Sequence, residues 1–160
     1  PSPASTVAMC IMAKQDAMPE KAFDQGIDLI GTPFCYGARG PDAFDCYGLV
    51  MEMARRNGQC LPDFGVATQQ AMISAMMGAS LPQWQVVEPG PGAVVLIRIG
   101  RWVSHCAYQI DEHRLIHAWE RAHGVSLIRI DEWQQRIVGF YTHAGVSALA
   151  TPASPSHFGT

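Results

Sequence analysis

The sequence predicts an α+β domain in which N-terminal helices pack on a mainly antiparallel sheet of about five strands. Two observations carry this: helical periodicity is confined to the first half of the chain, and after Pro89-Gly90-Pro91-Gly92 the pattern changes to short apolar or alternating runs separated by polar turns. At 160 residues the chain has room for one compact domain with a core. A composition of 48% hydrophobic and 16% charged residues excludes global disorder. The expected organisation is a loosely ordered segment over 1–18, a folded domain over 19–146 and a disordered, small-residue and Pro-containing tail over 147–160.

Taken in order, a first helix is expected from Pro19. Proline suits a first helical turn, Phe23, Ile27 and Ile30 share a face, and Gly31 supplies the stop. The glycine- and proline-rich stretch from Gly31 to Asp42 reads as an ordered loop. A helix follows from Asp45, which suits the N-cap, with Leu49, Val50 and Met53 as its apolar stripe and Asn57-Gly58 as its end. Residues 66–80 form a further helical pattern interrupted by Gly78. Strands are expected over 93–99, 105–110, 114–119, 125–130 and 137–142.

A net charge of −3 and a pI near 6.0 provide no basic field for a phosphate backbone, so nucleic acid is not an expected partner. No apolar run reaches the ~20 residues of a membrane span, and the opening residues lack a signal-peptide pattern. Membrane insertion is therefore not expected. The chain starts with Pro1 rather than Met, so a removed upstream segment is compatible with the sequence and localisation stays open. The five cysteines (Cys10, Cys35, Cys46, Cys60 and Cys106) contain no C-x-x-C spacing, and their odd number leaves at least one free or intermolecular thiol.

Cys46 falls in the first turn of its helix, where the helix dipole favours the thiolate. A nucleophile also needs a base and a group that orients the base. His105, opening the strand HCAYQI at a sheet edge, is the candidate base. His117, twelve residues on in RLIHA, comes beside it if Asp111-Glu112-His113 closes a hairpin. Each feature alone has a plainer reading, a small buried thiol or a structural histidine; their joint occurrence behind a Gly-rich loop favours chemistry.

Phe44-Asp45-Cys46-Tyr47-Gly48-Leu49-Val50, preceded by Gly31-Thr32-Pro33-Phe34-Cys35-Tyr36-Gly37 and followed by Leu61-Pro62, resembles the nucleophile region of NlpC/P60 cell-wall cysteine peptidases. Pro89-Gly90-Pro91-Gly92, Ser104-His105-Cys106-Ala107-Tyr108 and Leu115-Ile116-His117-Ala118 resemble the family's later motifs in the same order. The resemblance spans about residues 20 to 143. It implies a papain-like fold, no cofactor, and hydrolysis of a peptidoglycan stem-peptide amide, commonly the γ-D-glutamyl–diamino acid bond, with Cys46, His105 and His117 as catalytic set and the Cys46 backbone N–H as oxyanion donor. The run from Gly40 to Val50 and the closing Arg136 to His143 look most like bacteriophage and prophage tail-assembly members, which implies action at the bacterial wall after phage delivery or secretion, with tail or secretion-machinery proteins as partners.

Two positions depart from the family pattern. Phe34 stands where many members have a Tyr whose hydroxyl lies near the oxyanion site, leaving Tyr36 as its substitute. Tyr47 stands where many have Ser, which with the preceding Asp, here Asp45, holds the substrate's amino end. Arg39 and Asp42 are candidate contacts for stem-peptide charges, with solvated loop charges as the equal alternative. The four tryptophans fit core and rim packing better than a sugar-binding surface. Three other readings stay open: a wall-binding tail component without catalysis, an amidase or transglutaminase using the same three residues, and a zinc site at Cys46, His105 and His117, which lacks a fourth ligand.

Overall fold

The computed structural model describes residues 21–147, the side chains of 146 and 147 excepted. The segments expected to be loose or disordered at either end therefore lie outside the described residues, except where they adjoin them.

Four helices and six strands follow in chain order: α1 (Cys46–Arg56), α2 (Gln70–Ser80), β1 (Trp84–Val86), β2 (Val94–Ile99), β3 (Trp102–Gln109), β4 (Arg114–Trp119), β5 (Gly124–Arg129), the single-turn α3 (Ile130–Trp133), β6 (Ile137–His143) and the short α4 (Ala144–Ser147). The sheet has the order β1-β6-β2-β3-β4-β5, and every neighbouring pair is antiparallel. The architecture is the expected α+β one. A sixth strand, β1, comes from the three residues after Pro82-Gln83, too short a run to show period-two alternation.

The helix expected from Pro19 does not form within the described residues. Residues 21–26 are irregular and only the 3₁₀ turn Ile27–Leu29 follows. Gly26 takes φ 70° and lies against Met53, which an added Cβ would approach within 2.3 Å of its sulfur. This close approach holds the segment as a strap across α1, and Phe23, Ile27 and Ile30 remain exposed rather than forming a buried stripe. Asn57 fastens the strap: its side chain accepts from Asp24 N and donates to Asp24 O at 2.7 and 2.9 Å.

Helix α1 packs its apolar stripe, Leu49, Val50, Met53 and Ala54, against β3 and β4 in the main core. Burial of each of the larger three side chains contributes about 1.5–3 kcal/mol. The other face of the sheet carries Val95, Ile97, Ala107 and Leu115, covered by Trp133, Ile137 and Phe140. The expected strand ends shift in one instructive place. The Gly100-Arg101 turn joins β2 to β3 as a tight hairpin, so β3 begins at Trp102 and His105 lies within the strand, inside the sheet rather than at its edge.

The loop from Gly31 to Asp45 is seated by backbone hydrogen bonds. Gly31 N donates to Val125 O, Val125 N to Thr32 O, and Asp45 N to Ala38 O, at 2.9, 2.9 and 3.1 Å. The last contact brings Ala38 O so close to α1 that a Cβ on Gly48 would lie 2.2 Å from it. Gly48→Ala is therefore expected to lower stability by about 1–3 kcal/mol, read as a lower urea midpoint at unchanged slope. A loss below about 0.5 kcal/mol, the usual scatter of surface changes, would contradict this packing constraint.

Candidate active site

The start of α1 is built by Asp45. Its carboxylate accepts the Gly48 N–H at 2.7 Å as a helix cap, the Gly37 N–H at 2.9 Å from the loop, and Arg39 Nη1 at 2.7 Å. Arg39 in turn grips Asp63 through two nitrogens at 3.0 and 3.1 Å and donates to Gly65 O at 2.9 Å. Burial works against the Arg39 charge, but the bonds to Asp63 and the charge of Asp45 outweigh it and raise its pKa. Cys46 follows as the first residue of the helix, where its N–H has no partner inside the helix.

Strands β3 and β4 bring two buried imidazoles together. The Tyr108↔Ile116 register leaves His105 and His117 with ring centroids 5.1 Å apart, and His105 Nε2 lies 2.8 Å from His117 Nδ1. His117 Nε2 is 3.0 Å from Ser126 Oγ, its cross-strand neighbour on β5. Trp119 and Trp133 wall off the pair, the former against both rings and the latter edge-on to His117.

Burial first, and then the charge of a protonated His105, push the His117 pKa down to about 3, so His117 is neutral at all ordinary pH. In the tautomer whose His117 Nε2–H donates to Ser126 Oγ, His117 Nδ1 is the acceptor and His105 Nε2 the donor. His105 Nδ1 is then the lone pair left for the thiol, the state a general base needs.

Cys106 and His105 are the neighbours that act on the Cys46 thiol. The Cys106 hydrogen bond contributes most to lowering its pKa, burial opposes, the His105 bond and charge lower it further, and the charge of Asp45 raises it; the net is a thiol held well below its ordinary range. Cys106 is pushed the other way, first by that same bond and then by burial, so it remains the S–H donor of the pair. A cleft opens from Cys46 between α2 and the sheet, with Phe34, Tyr36, Arg39, Asp45 and Tyr47 in its wall.

The other residues singled out in the sequence fall as follows. Tyr36 donates its hydroxyl to Glu120 at 2.9 Å and meets Phe34 edge-on at 4.9 Å; burial, the Glu120 bond and charge, and the charge of Cys46 raise its phenol pKa. Tyr47 donates to Pro62 O at 2.6 Å, and burial raises its phenol pKa. Asp42 is exposed and outside the cleft wall, Cys35 is exposed, and His113 is exposed in the β3–β4 turn. His157 lies outside the described residues. Among the described residues, no group of three or more His, Cys, Asp and Glu is placed to hold a metal ion. No described helix is long and apolar enough to cross a membrane.

Three contributors escaped the sequence reading: Cys106 as thiol donor, Ser126 as the partner of His117, and the Trp119 and Trp133 wall. Trp119 was accessible in principle, since it follows His117 by two on one strand and shares its face. Ser126 required the β4–β5 register, and Cys106 required the position of α1 over β3.

A sequence model described as the NlpC/P60 family matches residues 31–142. The chain belongs to the NlpC/P60 family. It is 29% identical over 111 residues to the probable endopeptidase p60 of Listeria grayi and 25% identical over 111 residues to that of Listeria seeligeri, in both cases covering 69% of this chain and 20% of the relative. The chain thus spans about a fifth of the length of these NlpC/P60 relatives. A solved structure, NlpC2 from Trichomonas vaginalis, superposes with a TM-score of 0.55 at 17% identity, covering 77% of this chain and 49% of that one, which shows the shared fold.

Because its bond to Cys46 is a thiol donor's, Cys106 has a measurable consequence. Cys106→Ala is expected to move the pH profile of Cys46 alkylation by iodoacetamide upward, toward the ordinary thiol range, and Cys106→Ser to restore part of the shift. An unchanged profile in Cys106→Ala would show that the neighbouring thiol does not hold the thiolate.

Proposed function

We propose that this NlpC/P60 domain is a cysteine endopeptidase or amidase that hydrolyses an amide of the peptidoglycan stem peptide through an acyl-enzyme, with Cys46 as nucleophile, His105 as base and His117 as its orienting partner. The observation that carries this reading is the hydrogen-bonded line from His105 through His117 to Ser126 beside the Cys46 thiol. The family membership supports hydrolysis of the wall, and the description of the Listeria relatives as probable endopeptidases supports an amide as the bond cut.

The steps follow from the geometry. The Cys46 thiolate attacks the carbonyl carbon, and the proton lost from sulfur resides on His105 Nδ1. The oxyanion receives the Cys46 N–H at the positive end of α1. His105 passes its proton to the leaving amine as the C–N bond breaks, leaving a thioester on Cys46. Water, deprotonated by His105, then attacks the thioester and releases the acid and the thiol. Through both halves, neutral His117 accepts from His105 Nε2–H and keeps the ring aimed at sulfur.

The bond expected from the resemblance is γ-D-glutamyl–diamino acid, and the expected setting is a phage or prophage tail acting at the wall. Incubation of soluble muropeptides with the protein should release fragments whose masses identify the bond, and Cys46→Ala should release none. Intact substrate with the unaltered protein, its thiol verified, would count against wall hydrolysis. His117→Leu should lower kcat/KM by roughly 10²–10⁴-fold, the range of a lost general-base contribution, while His117→Asn, which keeps an acceptor, should retain more. Equal activity of the two variants would remove His117 from the mechanism.

A further inference from the structure

The cleft at Cys46 has a composition that the acyl-transfer reading leaves unexplained. Helix α2 turns Ile73, Met76, Met77 and Ser80 into it, one face at helical spacing. These residues are half-buried, and α2 has no fully buried residue. Phe64 and Leu96 continue the wall. Met77 also packs against the main core, and the part of this face that borders the cleft can still gain dispersion and burial from a group that fills it.

The charges near the cleft are already engaged. Asp45 has its three donors, Arg39 is spread over Asp45, Asp63 and Gly65, and the Tyr36 and Tyr47 hydroxyls are bound to Glu120 and Pro62. An incoming ammonium or carboxylate would have to break one of these contacts or remain unpaired in apolar surroundings, a costly state. An aliphatic group would meet neither difficulty.

The side of the scissile bond follows from the same geometry. A base that protonates the leaving amine has that amine beside it, yet His105 and His117 are absent from the cleft wall while Cys46 is part of it. The cleft therefore lies on the acyl side. Resting on Cys46 as an acyl acceptor, we propose that the cleft bounded by α2 is an acyl-group subsite selecting an uncharged, largely aliphatic acyl part, so that a γ-glutamyl donor enters as its α-carboxamide in preference to its free α-carboxylate.

The test uses phenyl thioesters with a common leaving group and acyl parts from acetyl through propionyl and butyryl to hexanoyl, with the acyl-protein followed by intact mass. A γ-glutamyl donor is compared as its free α-carboxylate and as its α-carboxamide. The acylation rate should rise roughly fourfold per added methylene while the chain is being buried, the carboxamide should outpace the carboxylate, and Met76→Glu should abolish the dependence on chain length. A rate independent of chain length, or a faster carboxylate, would overturn the subsite. No adduct from any donor, with Cys46 still alkylated by iodoacetamide, would instead overturn the acyl-transfer reading on which it rests.

Discussion

The Asp45 carboxylate is the contact on which the rest of the site depends. One group caps α1, ties the preceding loop through Gly37 and holds the Arg39 guanidinium, which extends the connection to Asp63 and Gly65. Cys46 is consequently placed by a loop and a helix fixed to each other at a single residue. The arrangement also sets the electrostatics: the negative charge beside the nucleophile would oppose the thiolate, and Arg39 lies against it at 2.7 Å. A helix start that receives an electron-rich sulfur can then act in its favour.

The second constraint is the dry setting of the imidazoles. His117 is 1% exposed and His105 3%, and the rings of Trp119 and Trp133 pack against them. A neutral imidazole at His117 orients the His105 ring without adding a charge to the buried pocket. Burial therefore supplies in β3–β5 what charge supplies at the helix start. The two halves meet at sulfur, where His105 and Cys106 approach from β3.

Much of this was legible in the sequence because it is local. The Asp45 cap, the stripe Leu49, Val50 and Met53, and the hairpin closed by Asp111-Glu112-His113 rest on short-range periodicity and turn chemistry, and the motif order pointed to the family. What failed was tertiary. The pattern of Phe23, Ile27 and Ile30 is a good helical face, but the contact of Gly26 with Met53 draws that stretch into a strap. His105 reads as the start of the strand HCAYQI, whereas the Gly100 turn lets β3 begin at Trp102. The role of α2 as a cavity wall was equally hidden: its sequence shows an apolar face without saying that the face meets empty space.

The measurement that bears most directly on this account is the pH titration of thiolate ultraviolet absorbance, taken as the difference between the unaltered protein and Cys46→Ala. A thiolate signal that persists well below the ordinary thiol range, and is lost only as the pH falls through the lowered pKa of Cys46, is the result the structure requires. A difference signal that titrates at or above the ordinary thiol value would mean that neither the helix start nor His105 and Cys106 stabilise the sulfur anion, and would contradict Cys46 as an activated nucleophile.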